Sequence, residues 1–180
     1  IDEIIWNDFF QAIMYFYPGV LEGPFRSSMQ NIEWSDSEQN LQLWKDGLTG
    51  YPVVDAGMRQ LHNTGWMHNR ARMITSSFLV KHLLINWQEG EHWFYDSLID
   101  GDPALNNGNW QWAAGTGTDA APIFRIFNPI LQGKKYDPRG MYIRRWIPEL
   151  SNVPDRFIHT PWLMTSLEQK TCHVKIGNNY

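Results

Sequence analysis

The chain has 180 residues, 43% hydrophobic and 19% charged, which suffices for one domain with a sizeable core. No apolar run approaches a membrane-spanning length and no signal-peptide pattern opens the chain, so no membrane partner is expected. A single cysteine, Cys172, excludes an internal disulfide framework, and a net charge of −4 argues against a wholly basic nucleic-acid module while permitting local basic patches.

Ile4, Ile5, Phe9, Ile13 and Phe16 recur at helical spacing, and Pro18-Gly19 ends this first predicted helix. Residues 19–33 are rich in loop formers. Ser35 and Glu38 form a capping-box pair opening a helix through Leu41, Leu43 and Trp44 to Gly47. Pro52 suits a first helical turn, with Val53, Val54, Met58 and Leu61 on one side and Gly65 as terminator. A longer helix is predicted over roughly 68–84 and another over 89–98. Residues 100–109 read as a turn-rich loop and 110–117 as a short helix. Gly133-Lys-Lys-Tyr-Asp-Pro-Arg-Gly140 reads as a basic linker before an apolar helix from Met141 to Trp146. Beyond Pro148 the pattern is irregular. Strand patterns are nearly absent, so the predicted class is all-α, one helical domain over residues 1–180. The chain opens at Ile1 inside an apolar run and closes after Gly177-Asn-Asn, so truncation of a longer protein is expected at both ends.

Ten tryptophans stand out because several lie beside short polar residues, densest in Asp100-Gly-Asp-Pro-Ala-Leu-Asn-Asn-Gly-Asn-Trp-Gln-Trp112. Rings next to carboxylates and amides suit a flat heteroaromatic ligand, which stacks on the rings and is oriented through its edge. In Trp66-Met-His-Asn-Arg-Ala-Arg-Met73, Asn69, Arg72 and Met73 stand at i, i+3 and i+4 and share one helix face. Surface salt bridges are the plainer use of those arginines. Asp100 and Asp102 need a cation if buried, and Arg72 is the natural candidate. A calcium turn lacks later acidic ligands, and the six histidines show no adjacent ligand spacing, so no metal is expected. Trp34, Trp87 and Trp110, taken alone, read as core fillers. Lys134, Lys135, Arg139, Arg144 and Arg145 cluster near Tyr136 and Trp146, either as a phosphate-holding patch or as a solvated face.

The two motifs above, with Gly115-Thr-Gly-Thr-Asp-Ala-Ala-Pro122 and Phe124-Arg-Ile-Phe-Asn-Pro129, resemble the FAD-binding helical domain of the photolyase/cryptochrome family, over about residues 1–162. The likeness is nearest to the class I branch acting on cyclobutane pyrimidine dimers. It implies FAD, active when reduced, with Arg72 and Asp100 as an ion pair beside the ring, Asp102 binding nearby and Asn106 facing the ring N5. It places Glu3, Trp6, Asn69, Met73 and Trp112 at the lesion pocket, and Glu3 as a hydrogen-bond partner of the pyrimidine edge. Trp34, Trp87 and Trp110 match the family's electron-carrying tryptophans, and Lys135 and Arg125 fall where the family contacts DNA backbone.

The implied activity is light-driven DNA repair, a carbon–carbon lyase reaction in which excited FADH⁻ lends an electron to a flipped-out dimer and recovers it. Base flipping is a general device of photolyases. Asn69 and Met73 stand where photolyases of (6-4) lesions carry two histidines, which favours cyclobutane dimers as substrate. Asn106 replaces the aspartate of plant cryptochromes, and an amide has no carboxylic proton to give. Asn7 departs from an arginine common in relatives. A blue-light signalling cryptochrome, a DASH-type single-strand repair protein and an inert helical domain are the alternatives. The expected partner is damaged DNA, met by a monomer in a bacterial-type cytoplasm. The antenna-binding α/β domain with its chromophore, and the loop holding the FAD diphosphate, are expected in chain preceding Ile1. The 180 residues alone are therefore expected to hold FAD weakly or not at all and to be inactive.

Overall fold

The computed structural model describes residues 2–119 and 125–180, and every regular element among them is helical. Helix α1 spans Asp2–Phe16 and gives way to a 3-10 turn at Pro18. Helix α2, Glu38–Lys45, is capped by Ser37, whose Oγ accepts the Asn40 N–H; Ser35, the predicted cap, donates its own N–H to Leu84 instead. Helix α3, Pro52–Thr64, begins on proline and ends where Gly65 turns left-handed at φ 65°, as the sequence predicts. Helix α4, Asn69–Lys81, is capped by the His68 side chain and stops short of the predicted end, because the chain turns through Leu84 at φ 55°. Helix α5 runs Trp87–Ser97 under an Asn86 cap.

Three segments depart from expectation. Residues 103–109 of the supposed loop belong to helix α6, Pro103–Ala114, with Asp102 as N-cap and Gly115 as terminator at φ 87°. Much of the supposed basic linker is the end of helix α7, Pro129–Tyr136, so Lys134 and Lys135 sit in a last turn, where cations meet the negative end of the helix. After helix α8, Met141–Trp146, the tail carries helix α9, Ser166–Thr171, opened by a complete Thr165/Glu168 capping box.

Two apolar clusters hold these helices. The larger joins α2 to α6 around Trp44, Met58, Leu79, Trp87 and Trp110. The smaller gathers Ile143, Ile147, Leu150 and Ile158 against Ala56, so α3 is shared by both. Each large apolar side chain so buried contributes roughly 1.5–3 kcal/mol. Asp55, fully buried on α3, accepts from Thr49 N–H and O–H, Gly50 N–H and the Tyr180 hydroxyl, tying the chain's last residue to the core. Helix α1 packs on α6 through buried Phe10, whose ring lies where any Cβ at Gly108 would overlap it. Of the predicted apolar stripe, Ile4, Ile5, Phe9 and Phe16 remain exposed and Ile13 is half-buried.

Gly90 on α5 is the point of closest approach to Trp110. An added Cβ would overlap the indole and stand 2.6 Å from Leu79 Cδ2. Alanine's helix propensity would favour the exchange by roughly 1 kcal/mol. Overpacking against buried side chains costs about 1–3 kcal/mol, and Trp110 and Leu79 are both buried. Gly90→Ala should therefore lower the urea midpoint of unfolding; an unchanged or raised midpoint would show that the indole can shift.

Candidate functional site

The site is built where α4, α6 and the turn between α5 and α6 meet. Gly65 C=O accepts the Ile99 N–H at 2.9 Å, which pins the residues before Asp100 beside the turn leading into α4. Arg72 then bridges the two. Its Nε donates to Met67 C=O at 2.7 Å and its Nη2 to both Asp100 oxygens at 2.9 and 2.8 Å. The pair expected from the sequence is present, but it is not buried, since the Asp100 side chain is 48% exposed. Such a pair adds only about 0–1 kcal/mol to stability. Its value lies in what it presents to the hollow it borders.

That hollow has two adjoining lobes. The inner lobe, about 180 Å³, takes Phe94, Leu98 and Trp110 as apolar wall and Asn69, Asn106 and Asp100 as polar lining. The outer lobe, about 450 Å³, is walled by Trp6, Phe10, Trp66 and Trp112. Asn69, Arg72 and Met73 line both, as their shared helix face predicts. Asp102 borders the inner lobe, yet its oxygens already accept the Leu105 N–H at 2.8 Å and the Gln11 amide at 2.9 Å. It caps α6 and fastens α1, which narrows its capacity for a direct ligand contact.

Asn106 is oriented from behind, its Nδ2 donating to Glu91 C=O at 2.8 Å. Among the described residues no donor reaches its Oδ1, so the amide offers an acceptor to a ring N–H. The next residue along, Asn107, donates to Glu91 Oε1 and to Val20 C=O, and its own Oδ1 accepts from Gln111. This buried amide network sets the rotation of α6 and so aims Asn106.

Burial raises the Glu91 carboxyl above its usual value, while the Asn107 amide and His92 pull it back. A raised acid contributes its full stability below the ordinary glutamate value and loses it as pH rises through the raised one. Glu91→Gln keeps an Oε1 acceptor without the charge. It should melt higher than the parent at mildly alkaline pH and alike at acid pH; melting curves that stay parallel across that range would refute the assignment.

The three tryptophans singled out by resemblance share one cluster. Trp110 and Trp87 are each 2% exposed, and Trp34 is half-buried against the same cluster. Trp110 lines the inner lobe and meets the edges of Phe94 and Trp44 at centroid distances of 5.0 and 6.1 Å. Trp44, fully buried, was legible only as a helix residue. Arg125 is exposed, 6.0 Å from the Trp112 ring, and Lys135 is exposed at the end of α7. Glu3 lies on α1, but its side chain is outside the described residues, as are positions 120–124 of the glycine–threonine motif.

Sequence reasoning missed Trp66, Phe10, Leu105 and Asn109. Asn109 stands at i+3 from Asn106, a relation visible only once 103–114 is read as a helix. Trp66 lay inside a quoted motif without a role.

The model for the FAD binding domain of DNA photolyase matches residues 1–180. A deoxyribodipyrimidine photo-lyase of Escherichia coli is 55% identical over 163 residues, 90% of this chain and 34% of the relative. The crystal structure of a bacterial class III photolyase from Agrobacterium tumefaciens superimposes with TM-score 0.95 at 49% identity, covering 99% of this chain and 37% of that one. A Synechocystis cryptochrome structure gives 0.92 at 43% identity, covering 100% and 37%. The chain thus spans about a third of the length of the relatives it matches.

Proposed function

The chain belongs to the family of FAD-binding domains of DNA photolyases, and from that premise we propose that it forms the flavin- and lesion-binding part of a light-driven lyase acting on cyclobutane pyrimidine dimers in DNA. One observation carries the reading: an aromatic-walled outer lobe opens onto a smaller inner lobe across Asn69, Arg72 and Met73. Two flat groups can lie there in contact, one fixed and one exchanged.

The inner lobe suits the flavin ring. Phe94, Leu98 and Trp110 offer faces, Asn106 Oδ1 an acceptor and Asn69 an amide edge, while Arg72 keeps Nη1 free of any protein acceptor among the described residues. When bound and reduced, the flavin supplies an electron on illumination and takes it back. The protein's part is to place and to shield. Asn106 would accept from the ring N–H, and its amide has no acidic proton to exchange there. Asp100 holds the Arg72 guanidinium at the ring edge. Trp6 and Trp112 stack on the faces of the flipped bases, Met73 fills the space between base and flavin, and Glu3 hydrogen-bonds the pyrimidine edge. Lys135 and Arg125 meet DNA phosphates, and Trp110, Trp87 and Trp34 carry an electron inward from the surface. The protein acts as a monomer in the cytoplasm.

A blue-light signalling role is the second reading, favoured by the Synechocystis cryptochrome likeness; DASH-type repair of single strands lies between the two. Blue light on the full-length, chemically reduced protein mixed with thymine-dimer DNA separates them. Disappearance of the dimers supports the lyase, and lesions left intact would overturn it in favour of signalling.

A further inference from the structure

We propose that a second cleft, on the other side of α4 from the two-lobed hollow, holds a nucleobase of the DNA strand next to the lesion, stacked on Tyr136 and Trp146 with its phosphate met by Arg70 and Arg145. On α4, Asn69, Arg72, Met73 and Ser76 line the hollow, whereas Arg70, Ala71 and Ile74 line the cleft, as a 3.6-residue period requires. The helix is a partition with a ligand surface on each side. Trp66 lines both the outer lobe and the cleft, so a strand entering one passes directly by the other.

The cleft encloses about 400 Å³, close to the outer lobe in size. Its aromatic lining already attracts guanidinium groups: Arg70 Cζ stands 4.5 Å from the Tyr136 ring and Arg145 Cζ 5.3 Å from the Trp146 ring. Ring and cation together suit a base joined to a phosphate, since stacking is indifferent to base identity and the cation neutralises the backbone. Gln60 adds a polar reader. Its Oε1 accepts the Tyr142 hydroxyl at 2.6 Å, and among the described residues its Nε2 has no acceptor, so a donor remains for a base edge. Asp137 also lines the cleft, but its Oδ2 is engaged by the Ile143 N–H at the start of α8. Lys135, with Nζ 5.2 Å from the Tyr136 ring, adds positive charge beside it, against a chain whose net charge is −4. The local balance favours a polyanion over an acidic-faced protein partner.

The inference rests on the proposed reading only in taking the strand to be lesion-bearing DNA. Full-length, flavin-loaded protein is titrated in the dark with single-stranded oligonucleotides carrying one thymine dimer and an abasic residue at each flanking position in turn. One position should weaken binding roughly tenfold, the loss of a single base–aromatic stack. Tyr136→Ala should bind the intact oligonucleotide that much more weakly and show no further abasic penalty. Trp146 packs on the second core, so Trp146→Ala is the more damaging variant; Tyr136 is 46% exposed and its replacement leaves the core alone. Arg145→Gln should flatten the salt dependence by about one counterion. Affinity insensitive to every abasic position, or a penalty as large in Tyr136→Ala as in the parent, overturns the proposal. Equal affinity for undamaged oligonucleotides would sink the lesion reading instead, while the abasic scan still reports on the cleft.

Discussion

Changing Asn69 and Met73 together to histidine should abolish repair of cyclobutane dimers while leaving the flavin bound. Both side chains line the two lobes, so they stand between the proposed ring and the proposed lesion. The thioether of Met73 is apolar and polarizable and packs against a base without asking for a hydrogen bond. An imidazole in its place brings a polar group that a base face leaves unsatisfied, at a cost of about 1–3 kcal/mol. That cost at Met73, together with loss of the hydrogen bonds made by the Asn69 amide edge, corresponds to a loss of kcat/KM on the order of a hundredfold. The flavin's other contacts, from Arg72, Asp100, Asn106 and the Phe94 and Trp110 rings, are untouched. Repair assays beside flavin absorbance decide the matter. Dimer splitting near the parent rate would mean that the lesion lies elsewhere.

Trp110→Phe should stop light from reducing the oxidised flavin and yet spare repair by protein reduced chemically beforehand. Trp110 borders the inner lobe and is buried with Trp87, while Trp34 is the half-buried member of the three. A phenyl ring fills most of the same space but is far harder to oxidise than an indole, so the inward path is cut at its last step. The packing cost is that of a large-to-small change, which leaves a gap beside Gly90. Photoreduction followed by absorbance, with repair measured on the same samples, separates the two activities. Survival of photoreduction would remove Trp110 from the path, and loss of both activities would mean that the indole holds the flavin's shape.

What could be read from the residues depended on how local the signal was. Asn69, Arg72 and Met73 were legible because i, i+3 and i+4 on any helix share a face, and Arg72 was the cation named for Asp100 and Asp102 alike; the choice of Asp100 came from resemblance. The long α6 was not. Asn106, Asn107, Gly108 and Asn109 are poor helix formers, so the run reads as a loop, although in the structure Asp102 and Pro103 open a helix there. Contacts distant in sequence reverse that balance: Asn107 bonds to Val20 C=O and Glu91, the Phe10 ring lies over Gly108, and Lys81 Nζ caps the Ala114 carbonyl. The basic linker failed for a similar reason, since the Asn128 cap and Pro129 start a helix that the lysines merely end. The Trp34, Trp87 and Trp110 set follows no spacing rule and came from resemblance alone. The second cleft draws on residues from Val53 to Trp146, and nothing in their order announces it.

The structure of the full-length, flavin-loaded protein in crystals is the measurement that bears most directly on this account. The ring system should lie in the inner lobe against Phe94 and Trp110, with Asn106 Oδ1 in hydrogen-bonding range of a ring N–H and the Arg72–Asp100 pair at its edge. Ring density elsewhere, with Asn69, Arg72, Asp100 and Asn106 turned only to solvent, would contradict it.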